Sequence, residues 1–283
     1  MSQYALFLRK RGIKGSTRFI FDRNSLSQHN GYELGRVFNI GYTETLTNKA
    51  LHLIFRILGI KKVPILSKPL IRLLNILGCR IIAEKPNYDY DESVLSPSRG
   101  LRFYYGGWHS ERYFHSIRDE VLASFKLNVG DEDKMNLALL DEIRKTNSVS
   151  IHVRRGDYLS EKNFNTFGAV CSKAYFDAAI KEIGALVDNP HFFVFSNDVA
   201  WVEDNLHLES LTIVDCNKGK DSWKDLFLMS NCKHNINSNS TFSWWASWLN
   251  DKPGRVVIVP RFFINNVETK DLYPDNWLQL TNY

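Results

Sequence analysis

The fold of this chain is decided by the stretch VSIHVRRGDY, residues 149–158. Its first half alternates apolar and polar residues and is rich in β-branched side chains, which predicts a strand. The strand runs directly into Arg154 and Arg155, and Gly156 and Asp157 follow. Glycine allows the backbone to turn sharply where the strand ends. The stretch therefore predicts a polar site at the carboxyl end of a strand.

The two adjacent arginines predict a site for an anion. Neighbouring guanidinium groups repel each other unless an anion lies between them, and their forked donors match phosphate oxygens. Asp157 can hold one arginine in place. A surface cluster of ion pairs is the alternative explanation. In the first interpretation, the arginines bind a diphosphate group.

Strands and helices alternate along the sequence after residue 147. The pattern predicts strands at 149–153, 192–195, 211–214, 235–237 and 255–259, separated by helices near 173–186, 199–206, 223–231 and 242–249. This alternation is typical of a parallel, doubly wound sheet, in which ligands bind beyond the carboxyl ends of the strands. We expect one domain at 147–261 and an N-terminal domain at 1–146, against which the tail 262–283 packs.

Two more polar clusters follow predicted strands of this domain. Asn197 and Asp198 come after the second strand and offer acceptors for a purine or a ribose, although Asp198 also fits a plain helix cap. The segment 239–243 leads into a helix, so free backbone N–H groups and hydroxyls converge there with the positive end of the helix dipole. Three strand ends therefore predict one binding site.

Composition narrows the class of protein. The chain has 283 residues, of which 44% are hydrophobic, so it can build two globular domains. Its net charge of +5 is mild and argues against nucleic acid as a partner. The four cysteines include no Cys-x-x-Cys pair, so no zinc site is predicted.

The region 49–80 is apolar and basic, with no acidic residue between Glu44 and Glu84. Pro64 and Pro69 divide it into two predicted helices. A basic amphipathic pair can lie on an anionic membrane surface. Two ordinary domain helices with their cations in water are the alternative.

The ordered motifs resemble those of the α-1,2-fucosyltransferases, glycosyltransferase family 11. The resemblance covers roughly residues 147–260, motif by motif, and residues 20–145 match only loosely. The motifs that carry it are HVRRGDY (152–158), FVFSND (193–198), DLFLMS (225–230) and NSTFSWW (239–245).

The resemblance implies an α/β fold of GT-B type with two Rossmann-like domains that have parallel sheets. It implies inverting transfer of L-fucose from GDP-β-L-fucose to the 2-hydroxyl of a galactoside, with no metal and no cofactor. Arg154 would bind the diphosphate, Arg155 would stabilise the leaving group or orient the sugar, and Asp157 would orient both arginines. The residues expected to bind the donor are His152, Arg154, Asn197, Asp198, Asp225, Asn239, Ser240, Thr241 and Ser243. Asp157, Glu161 and His152 remain alternatives for the base that deprotonates the acceptor.

One departure from the family concerns the N-terminus. Family members open with a strand and a glycine-rich turn that lead to a Gly-Asn-Gln-Met-x-Gln-Tyr-Ala segment. This sequence begins at Met1-Ser2-Gln3-Tyr4-Ala5, in the middle of that segment. The expectation is an N-terminal domain without its first strand. A non-catalytic protein that binds GDP-sugar or glycan is therefore one alternative, and a fucosyltransferase of different linkage is another. We expect a cytoplasmic bacterial enzyme of surface-glycan synthesis that contacts the inner membrane peripherally through residues 49–80.

Overall fold

The computed structural model describes residues 1–13, 16–20, 32–59, 68–97 and 99–281. Its internal contacts divide the chain into two units. Unit 1 comprises Met1–Ser124 with Lys270–Leu272, and unit 2 comprises Phe125–Thr269 with Tyr273–Tyr283.

Unit 1 combines helices with a small parallel sheet. Its helices are α1 (Ser2–Ile13), α2 (Glu33–Phe38), α3 (Leu46–Leu58), α4 (Lys68–Ile76) and α5 (Arg118–Ser124). In the described part of this unit, β1 (Arg80–Ala83) and β2 (Arg102–Tyr105) form a two-stranded parallel sheet. α3 begins at Leu46 because Oγ1 of Thr45 caps it, accepting from the backbone N–H of Asn48 at 3.1 Å.

The buried carboxylate of Glu84, which follows β1, holds the segment that follows β2. Glu84, directly after β1, accepts hydrogen bonds from the backbone N–H groups of Gly107 at 2.8 Å and His109 at 2.7 Å. Nδ1 of His109 lies 3.1 Å from the same carboxylate. Burial raises the pKa of Glu84, but the hydrogen bonds and charge of His109 outweigh it and leave that pKa below its ordinary value. The imidazole is thereby fixed over the backbone of Gly107.

Unit 2 contains the larger sheet. Its helices are α6 (Lys134–Lys145), α7 (Glu161–Asn163), α8 (Lys173–Leu186), α9 (Val199–Asn205), α10 (Trp223–Asn231) and α11 (Thr241–Leu249). Its strands are β3 (Asn147–Val153), β4 (Pro190–Ser196), β5 (Leu211–Val214), β6 (His234–Ile236), β7 (Val257–Pro260) and β8 (Leu278–Leu280). Among the described residues these strands form one six-stranded sheet in the order β5-β4-β3-β6-β7-β8, with every pair parallel. No helix in the described ranges is long and apolar enough to cross a bilayer.

The strand β3 is the centre of this sheet. It pairs with β4 along its whole length and with β6 over Val149–Ile151. Six of its seven residues are buried, as expected for a strand that helices cover on both faces. The predicted α/β class with parallel sheets is confirmed.

The unit boundary differs from the expected domains at 1–146 and 147–261. Helix α6 belongs to unit 2 because it packs against α10 and β3. The amide of Asn136 in α6 also donates to Oδ1 of Asn217 at 2.9 Å. The tail 262–283 was expected to pack on the N-terminal domain, but β8 pairs with β7 in unit 2. Only Lys270–Leu272 of the tail groups with unit 1.

We predict that Gly107→Ala destabilises unit 1. A Cβ at this position would come within 1.9 Å of Cε1 of His109, a ring that Glu84 holds in place. We expect a loss of about 1–3 kcal/mol in the free energy of unfolding, measured by urea denaturation. The control is Gly12→Ala in α1, where a Cβ meets nothing within 4 Å and where alanine should stabilise the helix by about 0.5–1 kcal/mol. Equal stabilities for the two variants would contradict the close approach at Gly107.

Candidate active site

The predicted polar clusters lie side by side along one edge of the unit 2 sheet. Parallel strands all present their carboxyl ends at the same edge. In the order β4, β3, β6, these ends carry Asn197 with Asp198, then Arg154 with Arg155, then the turn 237–240. The arginines therefore lie between the other two clusters.

Arg155 is held by the loop that follows β4. Its backbone N–H donates to Oδ1 of Asn197 at 3.0 Å, and its Nε donates to Oδ2 of Asp198 at 3.1 Å. Its Cζ lies 4.5 Å from the ring centroid of Trp201, a distance at which a guanidinium is attracted to an aromatic face. Asp198 also caps α9, because its Oδ1 accepts from the backbone N–H of Trp201 at 3.2 Å. Within the described residues, the terminal nitrogens of Arg155 have no hydrogen-bond partner.

Arg154 is held by the turn that follows β3. Its Nη2 lies 2.8 Å from Oδ1 of Asp157, and its Cζ lies 5.6 Å from the ring centroid of Tyr158. The hydroxyl of Tyr158 donates to the backbone oxygen of Asn239 at 3.1 Å, which ties this turn to the one after β6. Burial raises the pKa of Tyr158 to about 12, so the phenol remains a donor at neutral pH. Asp157 forms its ion pair with Arg154, whereas the ion pair of Arg155 is with Asp198.

Gly156 allows the two loops to approach each other. A Cβ at this position would lie 2.5 Å from Nδ2 of Asn197, the side chain that accepts from the backbone of Arg155. Any larger residue would push Asn197 away from the backbone N–H of Arg155. Gly156 therefore allows the loops that follow β3 and β4 to lie close together.

His152 is buried behind the arginines. Its Nδ1 lies 2.8 Å from Oγ of Ser238, so the ring links β3 to the turn after β6. Burial, followed by the charge of Arg154, lowers the pKa of His152 to about 3. A buried imidazole with such a pKa is a poor proton acceptor for an incoming hydroxyl. The structure therefore favours a positioning role for His152 over that of the base.

The segment 239–243 is mostly used to build its own turn. The amide of Asn239 donates to the backbone oxygens of Phe167 at 3.1 Å and Phe263 at 3.0 Å. Ser243 is fully buried, and its hydroxyl bonds to the backbone oxygens of Ser238 and Ser240. Both side chains are thus buried within the turn, and their contact with the donor stays a prediction.

Ser240 and Thr241 lie where α11 begins. Oγ of Ser240 accepts from the backbone N–H of Phe242 at 3.3 Å, which caps the helix, and the Ser240 side chain is nearly buried. Thr241 is exposed. Of the predicted phosphate-facing hydroxyls, only that of Thr241 is exposed in the described structure.

Asp225 lies in the first turn of α10. Oδ1 of Asp225 accepts from Nδ2 of Asn217, which follows β5, at 2.9 Å. Asn217 in turn exchanges hydrogen bonds with Asn136 of α6. Burial raises the pKa of Asp225 to about 7, although the bond from Asn217 opposes that shift. Asp225 thus belongs to a polar network at the end of β5, two strands from Arg154.

Glu161 is exposed in the short helix α7 and has no ion pair with any described residue.

The structure also adds residues that the sequence did not indicate, namely Trp201, Asn217 and Asn136. Trp201 follows Asp198 by three residues, the spacing between a cap and the N–H that it binds, so this contact was open to prediction. The contact between Asn217 and Asn136 joins residues 81 positions apart and has no local signal.

We predict that His152 makes stability depend on pH. An unfolded histidine has a pKa of about 6.5, so between that pH and about 3 only the unfolded chain binds this proton. Stability is therefore lost as the pH falls through this window, with a slope of about 1.4 kcal/mol per pH unit. His152→Asn keeps a polar group near Ser238 and should flatten the slope between pH 6.5 and 4, measured by urea denaturation. The exposed His207, changed to Asn, is the control. A slope unchanged in His152→Asn would contradict the buried neutral imidazole.

Comparison with known proteins agrees with these motifs. The model of glycosyl transferase family 11 matches residues 88–281. The Escherichia coli alpha-1,2-colitosyltransferase is 30% identical over 259 residues, which cover 89% of this chain and 84% of that protein. The Escherichia coli O-antigen biosynthesis glycosyltransferase WbnK is 29% identical over 285 residues, which cover 96% of this chain and 92% of that protein.

A third similar protein comes from a mammal. Galactoside alpha-(1,2)-fucosyltransferase 1 of Leontopithecus chrysomelas is 30% identical over 146 residues, which cover 48% of this chain and 40% of that protein. The family model covers more than half of this chain and includes the arginine strand, the loop after β4 and the turn after β6. The chain therefore belongs to glycosyl transferase family 11 and is a glycosyltransferase.

Proposed function

We propose that this enzyme transfers L-fucose from GDP-β-L-fucose to the 2-hydroxyl of a galactoside, with inversion at the anomeric carbon. The observation that carries the proposal is the pair Arg154 and Arg155 at the end of β3, each fixed by a carboxylate, in a chain of family 11. The motifs that resemble α-1,2-fucosyltransferases and the likeness to a galactoside alpha-(1,2)-fucosyltransferase support the sugar and the linkage.

The arginines would stabilise the charge that develops on the departing GDP. In an inverting displacement, the bond from the acceptor oxygen to the anomeric carbon forms as the bond to the phosphate oxygen breaks, and GDP leaves with that electron pair. Preoriented donors stabilise such a charge without having to reorganise during the reaction. Arg155 has its Nε committed to Asp198, so its terminal nitrogens can point to the diphosphate. The first turn of α11, with the exposed Thr241, would add free backbone N–H groups.

The acceptor hydroxyl must also lose a proton. Asp157 and Glu161 are the two candidates for the base, because His152 is buried and weakly basic. Asp157 is paired with Arg154, whereas Glu161 is exposed and unpaired in the described structure. Replacing each by its amide, Asp157→Asn and Glu161→Gln, tests both, since loss of the base lowers kcat and leaves GDP binding intact. Because Asp157 also orients Arg154, a lower kcat in Asp157→Asn identifies the base only if GDP affinity is unchanged.

A colitosyl donor is the second candidate function. The relative named as an alpha-1,2-colitosyltransferase aligns over most of this chain, and colitose is L-fucose without its 3-hydroxyl. An enzyme built to hydrogen-bond that hydroxyl rejects the deoxy sugar by about 10⁴-fold or more, whereas an apolar pocket discriminates only about 10²-fold. The ratio of kcat/KM for the two GDP-sugars therefore identifies the natural donor.

The acceptor proposed is a galactose-containing precursor of a surface glycan. The name of WbnK, an O-antigen biosynthesis glycosyltransferase, supports this class of acceptor. We place the reaction in the cytoplasm, at the inner face of the membrane. Determining which hydroxyl of the product carries the fucose tests the 1,2 linkage against another linkage.

We predict that Arg155→Ala weakens GDP binding by about 10- to 100-fold, because a hydrogen bond to a charged group contributes about 1.5–3 kcal/mol. Titration calorimetry with GDP and GDP-fucose measures the effect. Arg155→Lys keeps the charge but loses the planar fork, so it should also bind more weakly. The control is Lys145→Ala, an exposed cation at the opposite end of β3.

Two outcomes would contradict parts of the proposal. Unchanged GDP affinity in both Arg155 variants would place the donor site elsewhere. Tight GDP binding without transfer to any galactoside, and without hydrolysis of GDP-fucose, would favour the non-catalytic binding protein.

We also predict that the reaction needs no metal. Excess EDTA should leave kcat unchanged with GDP-fucose and a galactoside, because arginines and the helix end supply the positive charge that a divalent cation would otherwise provide. Recovery of lost activity on adding Mg²⁺ or Mn²⁺ would refute this prediction.

A further inference from the structure

Helices α3 and α4 leave an unusual amount of apolar surface uncovered. No residue of α4 is buried, and in α3 only Asn48 is buried. The described chain exposes twelve large hydrophobic side chains, and six of them lie between residues 46 and 77. These six are Leu46 (85% exposed), Leu53 (59%), Leu70 (43%), Leu73 (50%), Ile76 (74%) and Leu77 (64%). A concentration of this kind marks an interaction surface.

The inner side of α3 is accounted for by packing within unit 1. The ring of Phe55 lies 5.6 Å from that of Phe103 and 5.6 Å from that of Tyr105, both in β2. The outer side carries Leu46 and Leu53, seven residues apart and therefore on one face. The uncovered apolar side chains are thus additional to those that hold the helix on the sheet.

The same segment is strongly positive. Between Glu44 and Glu84 the sequence contains seven lysines and arginines and no acidic residue. Arg56, Lys68 and Arg72 have no ion pair among the described residues. Uncovered apolar side chains and unpaired cations therefore occur in the same segment of the chain.

A groove along α4 brings these two properties together. It has a volume of about 480 Å³ and is lined by Lys68, Ile71, Arg72, Asn75, Ile76 and Arg80. Nη1 of Arg80 bonds to the backbone oxygen of Asn75 at 2.7 Å, which fixes this cation at the end of the helix. Lys68 and Arg72 are exposed beside it. Three cations around two isoleucines suit a phosphate group attached to an apolar chain.

We infer that α3 and α4 form a docking face for an anionic lipid bilayer, with the groove at Lys68, Arg72 and Arg80 taking a lipid phosphate. The positive charge of this face favours an anionic bilayer over a second copy of the chain. Two copies joined through this face would bring like charges together, which disfavours association. An anionic bilayer supplies both the negative charge and the apolar layer that the face lacks. The inference does not depend on the donor or linkage proposed above.

Sedimentation of the full chain with lipid vesicles tests this inference. We expect binding to vesicles of phosphatidylcholine with phosphatidylglycerol, weaker binding at high salt, and little binding to phosphatidylcholine alone. Lys68→Gln with Arg72→Gln should weaken binding by about fivefold or more for each cation removed. Leu73→Ser with Ile76→Ser should also weaken it, and all four side chains are exposed, so the fold should be kept.

Matched controls lie in unit 2. Lys173→Gln with Lys181→Gln removes two exposed cations from α8, and Leu186→Ser removes an exposed leucine from the same helix. Neither control should change vesicle binding. Transfer to a soluble galactoside should be unchanged in every variant, which separates failure of this inference from failure of the proposed reaction.

Three results would overturn the inference. The first is that the wild-type chain does not bind the anionic vesicles. The second is that the α4 variants bind them as tightly as the controls do. The third is a dimer, detected by light scattering, that Leu73→Ser with Ile76→Ser converts to a monomer, which would assign the face to a second copy.

Discussion

The side-chain amide of Asn235 holds together the elements that carry the active site. Its Nδ2 donates to Oγ of Ser150 in β3 at 2.7 Å and to the backbone oxygen of Met229 in α10 at 2.9 Å. Its Oδ1 accepts from Nδ2 of Asn250, just after α11, at 2.8 Å. These four residues are buried, and a buried polar group without its hydrogen bond is destabilising. The hydrogen bonds therefore hold these elements in one register. Arg154, four residues beyond Ser150, therefore ends beside the turn that follows β6.

A second constraint is that two guanidinium groups follow each other at the end of β3. Each has its own carboxylate, Asp157 for Arg154 and Asp198 for Arg155, and those carboxylates come from different strand ends. The ion pairs offset the repulsion between the arginines and fix their orientation. The attraction for an anion then rests on the remaining N–H donors and the start of α11. Such a site is oriented before its ligand arrives.

Local patterns in the sequence predicted most of unit 2, and contacts between distant residues account for what they missed. The alternation in 149–153 and the cap at Asp198 are local, so the strands, helices and their polar ends were correctly placed. The three residues of β8 are too few for a pattern, and their partner is β7. Ser243 has the composition of a phosphate contact, but its hydroxyl is used by backbone oxygens that no sequence pattern reveals. The position of Asp225 depends likewise on Asn217 and, through it, on Asn136.

The two units differ in how far they bury their apolar side chains. In unit 2 the apolar residues of β3 and β4 are buried on both faces, and the polar residues among them have partners. In unit 1 the helices α3 and α4 leave four of their leucines exposed, namely Leu46, Leu53, Leu70 and Leu73. Acidic residues occur throughout the chain but are missing from 45–83, the segment that contains these helices. Apolar exposure alone would fit any partner, and positive charge alone would fit any anion. Their coincidence in one segment is what selects a surface that is both apolar and negatively charged, because only such a surface gains from both features at once.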